Sequence, residues 1–226
     1  MEILFINIKD IFINNEIWNF YFNLLNKNEQ IKINKFIAND DIKRSFASLV
    51  LQNYVIKKKF NISFGSIEIK RNIYNKPFVD NFEYNISHDK DFVMIVTNNY
   101  PIGIDIMSIH RKIDKSLYPL VLNKDENMQI KEKKDFFIFW CLKESYLKAI
   151  GTGLHDTLDN IVFNIKNKYN ITLHINGILI KNLYFNYFIF KSEYIVAISY
   201  KSNFNIKEKF IYPLEFDIND KDNYVK

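Results

Sequence analysis

The stretch at residues 136–154, FFIFWCLKESYLKAIGTGL, constrains the fold more than any other part of the chain. Strong helix formers fill its first part, and Gly151 followed by Gly153 predicts where the helix ends. At about 100° per residue, one face of this helix carries Phe137, Trp140, Glu144, Leu147 and Lys148. A carboxylate in such an apolar stripe is unfavourable unless a cation or donors meet it. Two interpretations of Glu144 stay open: an ordinary ion pair with Lys148 one turn later, or a functional carboxylate.

The composition is that of a globular protein. The chain has 226 residues, of which 48% are hydrophobic and 25% charged, enough for one large domain or two small ones. The net charge of +5 permits an anionic partner, but the lysines are scattered and favour nucleic acid only weakly. The single cysteine, Cys141, excludes an internal disulfide and fits a reducing compartment.

The sequence shows no targeting or membrane segment. The N-terminus, MEILFINIKD, lacks the basic start and unbroken apolar run of a signal peptide. No window of about 20 residues is free of charge, as a spanning helix would require. We therefore expect a cytoplasmic protein.

The order of the predicted elements indicates two similar halves. A buried strand at 3–8 precedes three helical segments that end near residue 59, and short alternating strands follow. The turn at 98–101 is the expected joint. A further strand, an irregular segment at 108–135, the helix at 136–150 and strands up to residue 200 complete the chain. This pattern predicts an α+β fold with two similar lobes, 1–100 and 101–226.

Asp105 is the first residue with a candidate chemical role. It lies in PIGIDIMSI, a predicted strand of otherwise apolar residues in which Asp105 and Met107 share one face. It is either an edge residue that faces water or, together with Glu144, part of a metal site. Two carboxylates from separate elements suit Mg²⁺, which takes its other ligands from water and phosphate oxygens. No Cys/His spacing supports zinc.

Basic residues and one Ser-His pair supply the other candidates. Ser87 and His88 are neighbours in a strand and point to opposite faces, so they are not a catalytic dyad, and no nucleophile elbow surrounds Ser87. His88 is either a loop histidine or a phosphate ligand. Arg44, Lys76 and Lys148 come from three segments; each alone is an ordinary surface charge, but together they would clamp a polyphosphate.

These motifs, in this order, resemble one family. PIGIDIM at 101–107 and FWCLKESYLKAIGTGL at 139–154 are similar to the paired signature of the 4′-phosphopantetheinyl transferases, of the larger, monomeric type that serves polyketide and nonribosomal peptide synthetases. NKP at 75–77 and NISH at 85–88 resemble two further boxes of that family. The resemblance covers residues 75–154 most closely.

The resemblance implies a fold and an activity. It implies paired α+β lobes with coenzyme A in the cleft between them, and transfer of phosphopantetheine to a serine of an acyl or peptidyl carrier protein, with Mg²⁺. By resemblance, the metal ligands are Asp105, Glu144 and Glu126. The coenzyme A contacts are Arg44, Lys76, Ser87, His88 and Lys148. Catalysis is assigned to Glu144, Glu126 and Lys148, with either glutamate as the base.

One departure from the family pattern bears on activity. Many bacterial members carry a second acid where this chain has Met107, although a subset also reads GIDIM. The loss of one ligand supports an alternative hypothesis, a non-catalytic module that still binds coenzyme A or a carrier. A nucleic-acid-binding protein is the third hypothesis; it requires a clustered basic face with exposed aromatic residues.

Overall fold

The structure is a computed structural model and describes residues 1–153, 158–168, 170–202, 210–214 and 216. The first half consists of a strand, three helices and four further strands. Their bounds are β1 (Glu2–Asn7), α1 (Glu16–Leu24), α2 (Lys27–Asn34), α3 (Asn39–Phe60), β2 (Lys70–Arg71), β3 (Pro77–Phe78), β4 (Glu83–Asp89) and β5 (Phe92–Asn98). A 3₁₀ turn at Ile8–Asp10 follows β1.

The second half begins with a strand and is organised around one long helix. Its helices are α4 (Tyr118–Val121), α5 (Lys124–Met128) and α6 (Lys133–Ile150). Its strands are β6 (Ile102–Ser108), β7 (Ile161–Asn167), β8 (Asn170–Ile175), β9 (Ile178–Leu179), β10 (Leu183–Phe190), β11 (Tyr194–Lys201) and β12 (Phe210–Pro213). Two more 3₁₀ turns lie at Lys115–Leu117 and Leu158–Asn160.

Within the part of the chain that the structure describes, the strands form two main sheets and two small ones. The main sheets have the orders β12-β1-β5-β4 and β10-β11-β6, and the small ones are β2-β3 and β7-β8-β9. All pairings are antiparallel except that of β12 with β1, which is parallel. The mixed helices and strands confirm the predicted α+β class, whereas the similarity of the two lobes stays a prediction.

The apolar residues form three clusters. One lies between α1, α3 and the first sheet, and a second surrounds α6. The third joins the two main sheets and contains Ile3, Met94 and Val96 from the first, with Ile104 and Val196 from the second. Because both sheets bury a face in this cluster, the halves share a core.

The division of the chain at residue 100 stays a prediction. β12, from the last part of the chain, pairs with β1 through Glu2↔Phe210 to Phe5↔Pro213. The late strand therefore extends the sheet of the first half, because β1 offers an edge whose backbone groups need partners.

The helix α6 ends where the sequence predicts. Gly151 adopts a left-handed conformation, with φ of 78°, and its N–H bonds the carbonyl of Leu147. α6 packs on β6 and β11. Among the described residues, no helix combines the length and apolar character that crossing a bilayer requires.

Candidate active site

A cleft of about 600 Å³ opens between α3, β4, β6 and α6. Its walls include Arg44 from α3, His88 from β4, Asp105 from β6, and Glu144 and Lys148 from α6. Ser87 lines the same cleft. The structure thus brings together six residues that the sequence analysis selected from four separate segments.

Lys148 is bound to β6 and β4 instead of to its own helix. Its Nζ lies 2.6 Å from Asp105 Oδ1, 2.8 Å from Ser87 Oγ and 3.2 Å from the carbonyl oxygen of Ile104. Among the described residues, the only carboxylate that forms an ion pair with Lys148 is that of Asp105. The ordinary pairing of Glu144 with Lys148 is therefore not formed.

Ser87 orients the carboxylate of Asp105. Its hydroxyl donates to Asp105 Oδ1 at 2.9 Å and accepts from Lys148 Nζ and from the backbone N–H of Ile106 at 3.4 Å. Asp105 is 6% exposed, so its charge depends on these contacts for compensation. Ser87 therefore lies in the cleft, where its hydroxyl donates a hydrogen bond to the Asp105 carboxylate.

Glu144 carries the unsatisfied atom of the cleft. Its Oε1 is buried and has no hydrogen-bond partner. Burial raises the pKa of Glu144, the negative charge of Asp105 raises this pKa further, and Lys148 opposes both effects. A cation between the two carboxylates would offset the cost of desolvating Glu144 and the repulsion between its charge and that of Asp105.

The residues of the cleft fit Mg²⁺. Asp105 and Glu144 supply two carboxylates, and Mg²⁺ is commonly held by one or two carboxylates plus water and substrate phosphates. The described residues contain no group of three or more His, Cys, Asp or Glu side chains that could hold a metal by themselves. A protein-only metal cage is therefore absent from this part of the chain, and substrate oxygens would complete the shell.

Arg44 contributes positive charge to the cleft, which His88 also lines. Arg44 is anchored through Asp41 Oδ1 at 2.6 Å and the carbonyl oxygen of Lys90 at 3.0 Å. Partial desolvation lowers the pKa of His88 below its ordinary 6.5, and the charges of Lys148 and Arg44 lower it further, although the residue stays exposed at the cleft. Positive charges held together in this way favour an anionic ligand.

Glu126 lies outside the cleft, which corrects the expectation that it binds metal or acts as a base. It is fully buried, with Oε2 2.6 Å from Lys143 Nζ and Oε1 2.7 Å from the backbone nitrogen of Phe163. Burial raises the pKa of Glu126 and lowers that of Lys143, while each charge partly offsets the effect on the other. The capping box of α5, in which Glu126 meets Asn123, fixes this position.

Lys76 also lies apart from the phosphate-binding candidates. Its side chain lines a second pocket of about 700 Å³, and its Nζ is 3.5 Å from the carbonyl oxygen of Ala149. Asn72 donates to the carbonyl oxygen of Gly151 at 3.0 Å beside it. The expected contact of the Lys76 side chain with the contents of the cleft is therefore not supported, because this side chain packs on the end of α6.

Three further cations line the cleft without having been selected from the sequence. They are Lys32 on α2, Arg71 on β2 and Arg111 after β6. Burial lowers the pKa of Lys32, and the positive charge of Arg71 lowers it further. The sequence holds no local signal for this grouping, because it depends on how α2 and β2 pack.

The comparisons with known proteins match both halves. The family model described as "4'-phosphopantetheinyl transferase, N-terminal" matches residues 14–100, and "4'-phosphopantetheinyl transferase superfamily" matches residues 101–199. The second range contains Asp105, Glu144 and Lys148.

Curated proteins with these names are similar over much of the chain. The 4′-phosphopantetheinyl transferase gsp of Aneurinibacillus migulanus is 32% identical over 69% of this chain and 68% of that protein. The transferase Sfp of Bacillus subtilis is 27% identical over 70% of each. The L-aminoadipate-semialdehyde dehydrogenase-phosphopantetheinyl transferase of Mus musculus is 28% identical over 61% of this chain, and the chain spans only 52% of its length.

A solved structure is also similar, but the similarity is too low to support an assignment. The holo-[acyl-carrier-protein] synthase of Thermotoga maritima has a TM-score of 0.38 and 20% identity, over 46% of this chain and 63% of that one. The assignment is based on the sequence matches, which cover both sides of the cleft. By these matches, the chain belongs to the 4′-phosphopantetheinyl transferase superfamily.

Proposed function

We propose that this chain is an enzyme that transfers the 4′-phosphopantetheine arm of coenzyme A to a serine hydroxyl of an acyl or peptidyl carrier protein. The serine oxygen forms a bond to the β-phosphorus of coenzyme A, the bond from that phosphorus to the bridging oxygen breaks, and adenosine 3′,5′-bisphosphate leaves. The observation that carries this proposal is the contact of Lys148 with Asp105 beside the unpartnered oxygen of Glu144, in a cleft lined by cations.

The cations of the cleft serve the phosphates of coenzyme A. Lys148 lies against Asp105, and Arg44 lines the same cleft together with His88. Lys32 and Arg71 extend the positive surface beyond them. Fixed positive charges of this kind stabilise the negative charge that develops on the leaving phosphate, without a cost of reorganisation during the reaction.

Asp105 and Glu144 are the proposed Mg²⁺ ligands. When bound, the metal neutralises pyrophosphate oxygens and assists departure of the leaving group. Ser87 fixes the rotamer of Asp105, and the packing of α6 on β6 fixes the distance between the two carboxylates. Met107 provides no ligand, so the chain offers two carboxylates where many relatives offer three.

Glu144 is also the proposed acceptor of the serine proton. A general base needs an oxygen that is free to take the proton, and Glu144 Oε1 has no hydrogen-bond partner. Glu126 has no such free oxygen, because both of its oxygens already accept hydrogen bonds in the core.

The carrier protein is proposed to dock beside the cleft on the segment at 108–135. This segment exposes Leu117, Leu120 and Met128. Carrier proteins present acidic helices, and the net charge of +5 would favour their approach. A monomer in the cytoplasm that serves polyketide or nonribosomal peptide synthesis is part of the same proposal, since one chain supplies both walls of the cleft.

Intact-mass spectrometry tests the proposal. An apo carrier protein incubated with this chain, coenzyme A and Mg²⁺ is expected to gain the mass of one phosphopantetheine, and EDTA is expected to prevent the gain. No gain with any of several carrier classes, while coenzyme A still binds, would overturn the transferase and favour the non-catalytic binding module that Met107 suggests. Met107→Glu would then be the variant to assay for recovered transfer.

A further inference from the structure

A ladder of three side chains joins the two main sheets beside the cleft. Alternate residues of β4, namely Asn85, Ser87 and Asp89, each accept a hydrogen bond from the backbone of β6. Asn85 Oδ1 lies 2.9 Å from the nitrogen of Ile104, Ser87 Oγ lies 3.4 Å from that of Ile106, and Asp89 Oδ2 lies 2.6 Å from that of Ser108. The two strands belong to different sheets and form no backbone ladder with each other.

The ladder replaces a missing strand partner. Among the described residues, β6 pairs with β11 alone, so its other edge has no strand partner there. Its residues from Ile102 to Ser108 are nevertheless all buried, so water does not serve the amides on its other edge. Buried N–H groups require partners, and the side chains of β4 provide them. Asn85 and Asp89 are themselves 3% and 8% exposed.

The middle contact of the ladder, made by Ser87, is part of the candidate active site. Ser87 accepts from the amide of Ile106 and donates to the carboxylate of Asp105, which precedes it in β6. The contacts of Asn85 and Asp89 lie on either side of it, two residues away along β4 in each direction. Any sliding of β6 along β4 would break all three rungs and move Asp105 away from Ser87 and Lys148.

We propose that Asn85 and Asp89 are positioning residues, which hold β6 against β4 so that the Asp105 carboxylate is fixed for Mg²⁺ and for contact with Lys148. The assignment rests on the proposed function of the cleft. Neither residue touches the substrate in this role. Asn85 acts through the backbone of Ile104 and Asp89 through that of Ser108, and Asp89 Oδ1 also lies 3.9 Å from Arg111 Nη1. Supporting groups of this kind typically change metal affinity or activity by about 10- to 100-fold when they are removed.

Asn85→Ala is the main test, and Asn53→Ala is its matched control. Asn53 is also buried, at 2% exposed, and its Oδ1 accepts from the backbone nitrogen of Gly65 at 3.1 Å, a contact within the first half. Its amide also donates to Glu29 Oε1 and to the carbonyl oxygen of Leu49, and Asn53 itself is not part of the cleft lining. Both variants remove a buried amide that caps a backbone N–H. Only Asn85→Ala removes a rung between β4 and β6.

Three readouts separate positioning from stability. Hydrogen exchange of the Ile104 amide, followed by NMR, reports the rung directly. Calorimetric titration with Mg²⁺ alone reports the carboxylate site without turnover. Steady-state transfer gives kcat and KM for coenzyme A. Asn85→Ala is expected to lose protection at Ile104, to weaken Mg²⁺ binding about tenfold and to lower kcat about tenfold or more. Asn53→Ala is expected to lower Tm but to keep kcat and Mg²⁺ affinity.

The Asp89 rung gives a second, independent comparison if Asn85→Ala does not fold. Asp89→Asn keeps an acceptor oxygen for the amide of Ser108 and is expected to stay close to the unsubstituted protein in Mg²⁺ affinity, whereas Asp89→Ala is expected to lose protection at Ser108 and to weaken Mg²⁺ binding. Equal Mg²⁺ affinity and kcat in the alanine variants and the unsubstituted protein would overturn the proposal. If no carrier is modified by any form, the transferase function fails, and the exchange and Mg²⁺ measurements still decide the ladder.

Discussion

Lys148 Nζ lies 2.6 Å from Asp105 Oδ1, although 43 positions separate the two residues and Glu144 is one turn away from Lys148 on the same helix. The contact ties α6 to β6 at the base of the cleft. It leaves the Glu144 carboxylate with a buried oxygen that has no donor. Lys148 therefore compensates the charge of Asp105 within the protein, whereas Glu144 has an oxygen that is free to bind a cation or a proton.

Lys148→Ala is expected to lower kcat/KM for coenzyme A by about 10²- to 10³-fold, since it removes a fixed positive charge from the site of phosphate transfer. Lys134→Ala is the control, because Lys134 lies near the start of the same helix and pairs only with the exposed Glu132 among the described residues. Steady-state assays with saturating carrier measure both. Equal kcat/KM in the two variants would remove Lys148 from the site.

Removing one partner of the buried pair Glu126–Lys143 is expected to cost about 3–5 kcal/mol in the free energy of unfolding, because it leaves an uncompensated buried charge. Chemical denaturation of Glu126→Gln and Lys143→Met measures the loss. The double variant Glu126→Leu/Lys143→Met removes the uncompensated charge and is expected to recover only part of the loss, because the backbone nitrogens of Asn123 and Phe163 lose their acceptor. The folded fraction of Glu126→Gln should retain kcat, and a lost kcat at unchanged stability would return Glu126 to the catalytic residues.

Gly103→Ala is expected to lower both stability and kcat. A Cβ at this position would lie 1.9 Å from the carbonyl oxygen of Ser145 and 2.5 Å from the nitrogen of Ala149, so α6 must move away from β6. Overpacking of this kind costs about 1–3 kcal/mol. Gly177→Ala offers the contrast: its φ of 77° is unfavourable for alanine, but a Cβ there meets nothing within 4 Å. It should lose stability without changing kcat.

The affinity for coenzyme A is expected to rise as the pH falls toward 6.5 and below. In the free protein, the pKa of His88 is lowered from 6.5 by desolvation and by the charges of Lys148 and Arg44, so the ring is neutral at pH 7. A bound phosphate favours the protonated ring, which raises this pKa and couples binding to proton uptake. The gain levels off below the pKa of the free protein.

Calorimetry in buffers of different ionisation enthalpy measures that proton uptake. His88→Asn is the control, because the phosphate of coenzyme A also titrates near pH 6 and its contribution is common to both proteins. The difference between the two proteins isolates the ring. An identical uptake in both would show that His88 does not titrate with the ligand.

The sequence by itself determined the central helix, its end and the pair of carboxylates. The helix is set by local propensities and by glycines, and Gly151 closes α6 as expected because the left-handed conformation suits glycine. Asp105 and Glu144 stand out because each is an acid in an apolar stretch. The α+β class follows from the order of helical and alternating patterns.

Only the tertiary structure decided the partners of these residues. Lys148 could bond Glu144 or Asp105, and Glu126 could enter the cleft or the core; the sequence permits each choice. The outcome depends on how α6 packs on β6, on the capping box that directs Glu126 to Lys143, and on the register of β4 against β6. These are contacts between distant segments, and periodicity within one element carries no information on how two elements align.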